Sequence, residues 1–271
     1  MKLAVSNIAW GPEEDATIPP TLAAQGVAGL EIAPTRIWPD WIGATPTAAA
    51  HLRDAMAALG LTIPALQAAL FARPTLHLFG DRQTQRDLIA HLTHVAALAG
   101  ALGAPAIVFG APRNRDRGAL SHTEAMAKAR PILQEIGDAC AAAGTQLCLE
   151  ANPPQYACNF LTTWQQSAEL AEACAHPGIG LHLDTACITL AGGDPVEAIS
   201  TCAATTSHFH ISEPELAGFT PPTLNHTRIG AALRASAYTG WISIEMRRQP
   251  EPGPALSAAI TCARTHYAPG G

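Results

Sequence analysis

Short runs of aliphatic and β-branched residues alternate along the chain with longer stretches in which apolar positions recur at helical spacing. The short runs fall at Leu3–Ile8, Val27–Ile32, Leu61–Leu66, Ala106–Phe109, Gln146–Glu150, Ile179–Asp184, Ser207–Ile211 and Trp241–Met246, and predict eight strands. The longer, alanine-rich stretches, at Ile18–Gln25, Thr47–Leu59, Arg82–Leu102, Ser121–Ala143, Thr162–Ala175, Pro195–Cys202, Leu224–Ala237 and Pro254–Tyr267, predict a helix after each strand. Eight β-then-α repeats close most naturally as an α/β fold of the (β/α)8 TIM-barrel type. A doubly wound open sheet is the competing architecture, but no GxGxxG follows the first strand and the repeats outnumber what that fold needs. Gly60, Gly103, Gly144, Gly178 and Gly240 each stand just before a strand, where a left-handed helix end is expected. The proline pairs Pro19-Pro20, Pro153-Pro154 and Pro221-Pro222 follow strands and read as rigid loops around an active site. With no low-complexity linker, residues 1–271 are expected to form one domain.

Composition narrows the function. Hydrophobic residues make up 48% of the 271 and charged residues only 14%, so a large core is available and disorder is not expected. The net charge of −6 lacks the basic footprint that phosphate backbones require, which argues against a nucleic-acid partner. Polar residues arrive too soon after Met1 for a signal peptide, and the longest uncharged run, Val95 to Pro112, is interrupted by Gly100, Gly103 and Pro105. No membrane association is expected. Seven cysteines without CxxC or finger spacing suggest reduced thiols and a cytoplasmic location.

Barrel enzymes gather their chemistry at the C-terminal ends of the strands. Here strand five ends in Glu150, strand six in Asp184, strand seven carries His210 and strand eight ends in Glu245, at spacings of 34, 26 and 35 residues. Singly, an acidic residue at a strand end is more often a helix N-cap or a loop ion-pair partner. Three carboxylates at one barrel mouth, however, repel one another and are driven toward protonation unless a cation neutralises them. Oxygen-rich ligation with one imidazole suits Mn²⁺, Mg²⁺ or Co²⁺, with Zn²⁺ also admissible.

Cys148-Leu149-Glu150-Ala151-Asn152, His182-Leu183-Asp184-Thr185 and Phe209-His210-Ile211-Ser212-Glu213 carry a resemblance. In strand order over nearly the whole chain, the sequence resembles the xylose isomerase-like TIM-barrel superfamily, in particular its sugar phosphate isomerase/epimerase branch with the ketose 3-epimerases. The resemblance implies one divalent ion held by Glu150, Asp184, His210 and Glu245, with Glu150 and Glu245 doubling as the acid and base. It implies a sugar isomerase or epimerase that removes a proton beside a carbonyl through an enediolate. Opposed carboxylates would invert a centre, whereas a single base returning the proton to the neighbouring carbon would give aldose–ketose isomerisation. Dehydration of a polyol or keto-sugar on the same site is the alternative. Two departures bear on the substrate: Cys187 stands where ketose 3-epimerases carry a histidine, and Glu213-Pro214-Glu215-Leu216 stands where they carry an arginine.

Further candidates surround these positions. Arg247 is the preferred contact for an anionic sugar derivative, while Arg113, Arg115, Arg117 and Arg248 are alternatives. Asn152, Tyr156 and Glu213 are expected to touch substrate, with Asn7, Trp10, Glu31, Trp38 and Asn159 behind them. His182 and His208 lie two residues before Asp184 and His210, so they should point into the barrel one layer down. His226 is a weaker candidate. The expected partner is a small-molecule sugar or derivative, and a homo-oligomer is compatible with the pattern.

Overall fold

Residues 1–267 are described by a computed structural model of the chain. The strands are β1 (Lys2–Ser6), β2 (Gly29–Glu31), β3 (Ala65–Leu66), β4 (Ala106–Phe109), β5 (Gln146–Glu150), β6 (Ile179–Asp184), β7 (Thr206–Ser212) and β8 (Trp241–Glu245). All pair in parallel, in the order β2-β1-β8-β7-β6-β5-β4-β3. Isolated bridges Gly29↔Thr62 and Ile32↔Leu66 join the two ends of that order and close the barrel. The third strand is shorter than the apolar run Leu61–Leu66 predicts, because Pro64 has no N–H to give a ladder.

Among the described residues the α-helices are α1 (Ile18–Ala24), α2 (Pro34–Ile37), α3 (Pro46–Ala58), α4 (Arg82–Leu102), α5 (His122–Ala142), α6 (Trp164–Cys174), α7 (Thr185–Leu190), α8 (Pro195–Cys202), α9 (His226–Ala235) and α10 (Pro252–His266). Local chemistry explains their ends. Asp81 caps α4 by accepting from Thr84 N at 2.8 Å, and Ser121 with Glu124 forms a capping box on α5. Along α4, Leu88, Leu92, Val95, Ala99 and Leu102 fall on one face and are buried against the barrel. The expected left-handed helix ends occur at Gly60, Gly103 and Gly144, but Gly178 and Gly240 do not have positive φ. Gly178 is needed for another reason: a Cβ there would sit 1.9 Å from Gly137 O, so α5 can approach the strand only over a bare backbone. Pro19 and Pro20 open α1 as first-turn residues and do not form an active-site loop.

Two short helices, α2 and α7, had no periodicity to announce them. The second matters for the site, since α7 starts directly on β6 with Asp184 as its N-cap. The register shifts between Leu181 and His182, where β6 pairs β7, so that Asp184 lies opposite His210 and His182 opposite His208. Below the mouth the barrel interior is polar: Glu31, His182, His208, His210 and Ser243 are all buried there.

Candidate metal centre

Four successive strands present the expected side chains to one end of the barrel. His210, on β7, is fully buried, and its two ring nitrogens have different fates. Nε2 lies 3.0 Å from Glu31 Oε1, which assigns it the proton, whereas Nδ1 has no hydrogen-bond partner among the described residues. That bare nitrogen faces Glu245 Oε2 at 3.4 Å and Asp184 Oδ2 at 3.7 Å. One ligand atom each from Glu150, His182, Asp184 and His210 lies within 4.8 Å of the others. His182 is thus closer to the carboxylates than its place in the sequence suggests, with Nε2 3.8 Å from Glu150 Oε1. Barrel strands are staggered, and the register sets Glu150 opposite His182, not opposite Asp184.

Each carboxylate is aimed by a second group. Asp184 Oδ2 accepts from Ser212 Oγ at 2.7 Å, and its Oδ1 accepts from Cys187 N at 2.6 Å. Glu245 Oε1 accepts from Gln67 Nε2 at 2.7 Å. Glu150 Oε2 accepts from Asn152 Nδ2 at 3.1 Å, while Asn152 Oδ1 is held by Arg115 Nη2 at 2.8 Å. Gly110, at the end of β4, makes room for this: a Cβ there would meet Glu150 Oε2 at 2.3 Å. Glu31 reaches across from β2 to both His208 and His210, at 3.2 and 3.0 Å.

The electrostatics are those of a cation site. Burial, then the charges of Asp184 and Glu245, push the Glu150 carboxyl up to about 8. Burial would raise Glu31 too, but the His210 and His208 charges outweigh it and hold that carboxyl well below its usual range. For His210, burial disfavours the cation, yet Glu31 and Glu245 raise its pKa well above the ordinary imidazole value. His182, buried beside two other imidazoles, is driven the other way and stays neutral. A divalent ion fits this donor set: it would occupy the unpartnered His210 Nδ1 and relieve the carboxylate repulsion, with Glu31 orienting the imidazole from behind.

A cleft of about 770 Å³ opens above the centre, with Glu150, Glu245, Gln67 and Tyr156 among its lining. A second lobe of about 490 Å³ shares Glu150, Tyr156 and Glu245, and adds Asn152, Asp184, Cys187 and Arg247. Arg247 is exposed, with no carboxylate in ion-pair range of its guanidinium among the described residues. Tyr156 Oη accepts from Glu215 N at 3.0 Å. Asn152 and Arg247 line the second lobe, whereas Glu213 lines neither. Its buried oxygens are taken by Thr223 N at 2.7 Å, the Thr223 hydroxyl, Leu224 N and His226 Nε2 at 2.6 Å, which organise the loop after β7.

The other arginines divide. Arg113 lines the larger lobe, whereas Arg115 is fully buried and supports Asn152. Arg117 binds Asn159 O, and Arg248 pairs with Glu13 and Glu14. Asn7 accepts from Ala33 N and Trp10 donates to Asp15, so both hold loops, while Trp38 packs in the core. Gln67 and Ser212 escaped the sequence reading. Their partners lie 178 and 28 residues away, and nothing local distinguishes them from other strand-end polar residues.

The family model for the xylose isomerase-like TIM barrel matches residues 20–266. No curated protein matches the sequence. Among solved structures, a D-psicose 3-epimerase from Clostridium cellulolyticum H10 with D-tagatose is 18% identical with a TM-score of 0.75, covering 95% of this chain and 90% of that one. The IolI protein with a bound zinc atom is 15% identical, with a TM-score of 0.79 over 99% of this chain and 100% of its own. The 3-keto-D-glucoside 4-epimerase YcjR from E. coli is 16% identical, with a TM-score of 0.78 over 98% of this chain and 99% of its own. At such identities the likeness is one of fold.

Proposed function

The chain belongs to the xylose isomerase-like TIM-barrel family, and from that premise we propose that it is a divalent-metal-dependent sugar isomerase or epimerase. The observation that carries the reading is the bare, buried His210 Nδ1 pointing at Asp184 and Glu245 on the floor of a cleft. Glu150, Asp184, His210 and Glu245 would hold the ion, with His182 against Glu150 beneath it. When bound, the ion would polarise a substrate carbonyl and offset the negative charge that develops on its oxygen.

The protein's own groups supply the rest. Glu150 and Glu245 both line the two lobes of the cleft, so each can meet a substrate carbon and act as base or acid. Gln67 and Asn152 keep the two carboxylates aimed, one from β3's end and one from β5's. Arg247 and Tyr156 border the cleft where substrate oxygens would lie. Glu213 shapes the wall through its loop contacts and does not reach the sugar. The fold neighbours act on or bind D-tagatose, D-psicose and a 3-keto-glucoside, which favours a keto-sugar as the substrate class.

The test is a screen of ketoses, keto-sugars, sugar acids and sugar phosphates with metal-loaded protein in D₂O, followed by NMR. Deuterium uptake at a carbon beside the carbonyl, without loss of water, is expected. Water elimination would instead identify a dehydratase, and absence of exchange across the screen would remove the reading.

A further inference from the structure

The larger lobe of the cleft differs in character from the metal floor it leads to. Away from Glu150 and Glu245 most of its wall is apolar, including Ala68, Leu70, Phe71, Val108, Ala111 and Pro112, and its polar positions are Gln67, Arg73, Arg113, Asn114 and Tyr156. A volume of about 770 Å³ lies in the range that encloses a drug-sized ligand, several times the bulk of one sugar ring. Its rim is also built, not incidental. Phe71 is 66% exposed, yet its carbonyl accepts from Trp41 Nε1 at 2.9 Å and its N–H donates to Ala68 O at 2.9 Å. Asn114 Nδ2 holds Arg73 O at 2.8 Å, and His91 Nε2 holds Ala69 O at 2.9 Å. Ala68 and Ala72 both have left-handed φ, of 54° and 60°, a costly conformation for alanine that these anchors maintain on either side of Phe71.

A second observation points to a ligand. Gln67, buried where this wall meets the carboxylates, donates to Glu245 through Nε2, but its Oε1 has no partner among the described residues. A buried bare acceptor lining a cleft calls for a donor from the occupant, and a sugar hydroxyl next to the reacting carbon supplies one.

We propose that this lobe is a subsite for an aromatic substituent, so that the substrate is a sugar conjugate such as an aryl glycoside and not a free monosaccharide. The proposal rests on the carbohydrate reading above. The sugar ring lies over the metal floor with a hydroxyl on Gln67, and the attached ring lies along the apolar wall against Phe71. A second sugar in that lobe would lose its water against a mostly apolar wall, where Arg73 and Asn114 already donate to main-chain carbonyls. An aromatic ring gains from the same surface, in contact with Phe71.

The experiment is calorimetric titration of the full metal-loaded chain with phenyl β-D-glucoside and methyl β-D-glucoside. The phenyl compound should bind about tenfold more tightly or better, as expected for one buried aromatic ring. Phe71→Ala, at an exposed position that leaves the core untouched, should narrow the gap to less than about threefold, and Phe71→Tyr should keep it. Equal affinities, no measurable binding of the phenyl compound, or a preference that survives Phe71→Ala would overturn the proposal. So would a Phe71→Ala variant that dissociates an oligomer while leaving the preference intact, since Phe71 would then be covered by a second copy of the chain. Divalent-ion uptake by the same preparation separates the two readings: phenyl preference without ion uptake keeps the subsite and removes the reaction, and ion uptake without preference does the reverse.

Discussion

The arc of the barrel mouth formed by β5 to β8 and the arc formed by β3 and β4 solve opposite problems. On the first, charged groups are crowded and each is aimed by a neighbour: Asp184 by Ser212 and the Cys187 N–H, Glu150 by Asn152. On the second, the wall is mostly apolar, and its shape is kept by main-chain carbonyls tied to Trp41, His91 and Asn114. On the first arc, burial and then the charges of Asp184 and Glu245 push the Glu150 carboxyl up to about 8. The second has no charge problem and offers area. In the proposed reading, reaction and recognition fall on separate elements, and Gln67 is the link that crosses from one arc to the other.

The comparison breaks most visibly at the two glutamates. Glu150→Gln or Glu245→Gln keeps size and one ligand oxygen but removes the proton acceptor, so turnover should fall by roughly 10²–10⁴-fold. Metal occupancy should fall far less. If the two act on opposite faces of the substrate, one variant will still exchange substrate hydrogen with D₂O without inverting the centre, which NMR reads directly.

Glu31 sharpens the picture from below. Glu31→Gln leaves His210 in place but weakens the acceptor that keeps its proton on Nε2, and divalent-ion affinity should drop by about 10–100-fold. Ion titration of the two proteins measures it, and equal affinities would reduce Glu31 to interior filling.

A smaller, pH-dependent effect follows from Glu150. Its carboxyl in the metal-free protein titrates near 8, above the usual 4.5, so the protonated form belongs to the folded state. Stability from this group is complete below about pH 4.5 and is lost as the pH rises toward 8. A cation must displace that proton and the one that Glu31 and Glu245 favour on His210, so ion affinity should fall by at least about tenfold per unit below pH 8. The gain in Tm on adding Mn²⁺ should therefore grow from pH 6 to pH 8. A gain that is constant over that range would contradict the crowding of charge on this arc.

The mildest change is expected at Arg247, an exposed side chain bordering the cleft but not the ion. Arg247→Ala should raise KM by about threefold to tenfold without releasing metal, in keeping with a solvent-screened contact of roughly 1 kcal/mol. Unchanged kinetics would assign it to the solvated surface.

Much of this was legible along the chain, for a reason of geometry. Glu150, Asp184 and Glu245 each end an apolar run, so strand periodicity alone carries them to one rim. The partners that aim them were not legible, because the Gln67–Glu245 and Glu31–His210 contacts join residues 178 and 179 positions apart. Strand stagger was hidden for the same reason, and it brings His182, below the mouth, to 3.8 Å from Glu150. Asp184 turned out to combine two readings that looked exclusive, a carboxylate of the cluster and the N-cap of α7. Glu213 went the other way: its motif position suggested substrate, and Thr223, Leu224 and His226 claimed its oxygens.

The most direct measurement of the central claim is calorimetric titration of metal-free protein at pH 8 with Mn²⁺, Mg²⁺, Co²⁺ and Zn²⁺, repeated on Asp184→Asn and His210→Ala. At least one ion should bind at one per chain to the wild type and bind far more weakly to both variants. Failure of all four ions to bind the wild type, or binding that neither substitution disturbs, would contradict a metal centre on β5 to β8.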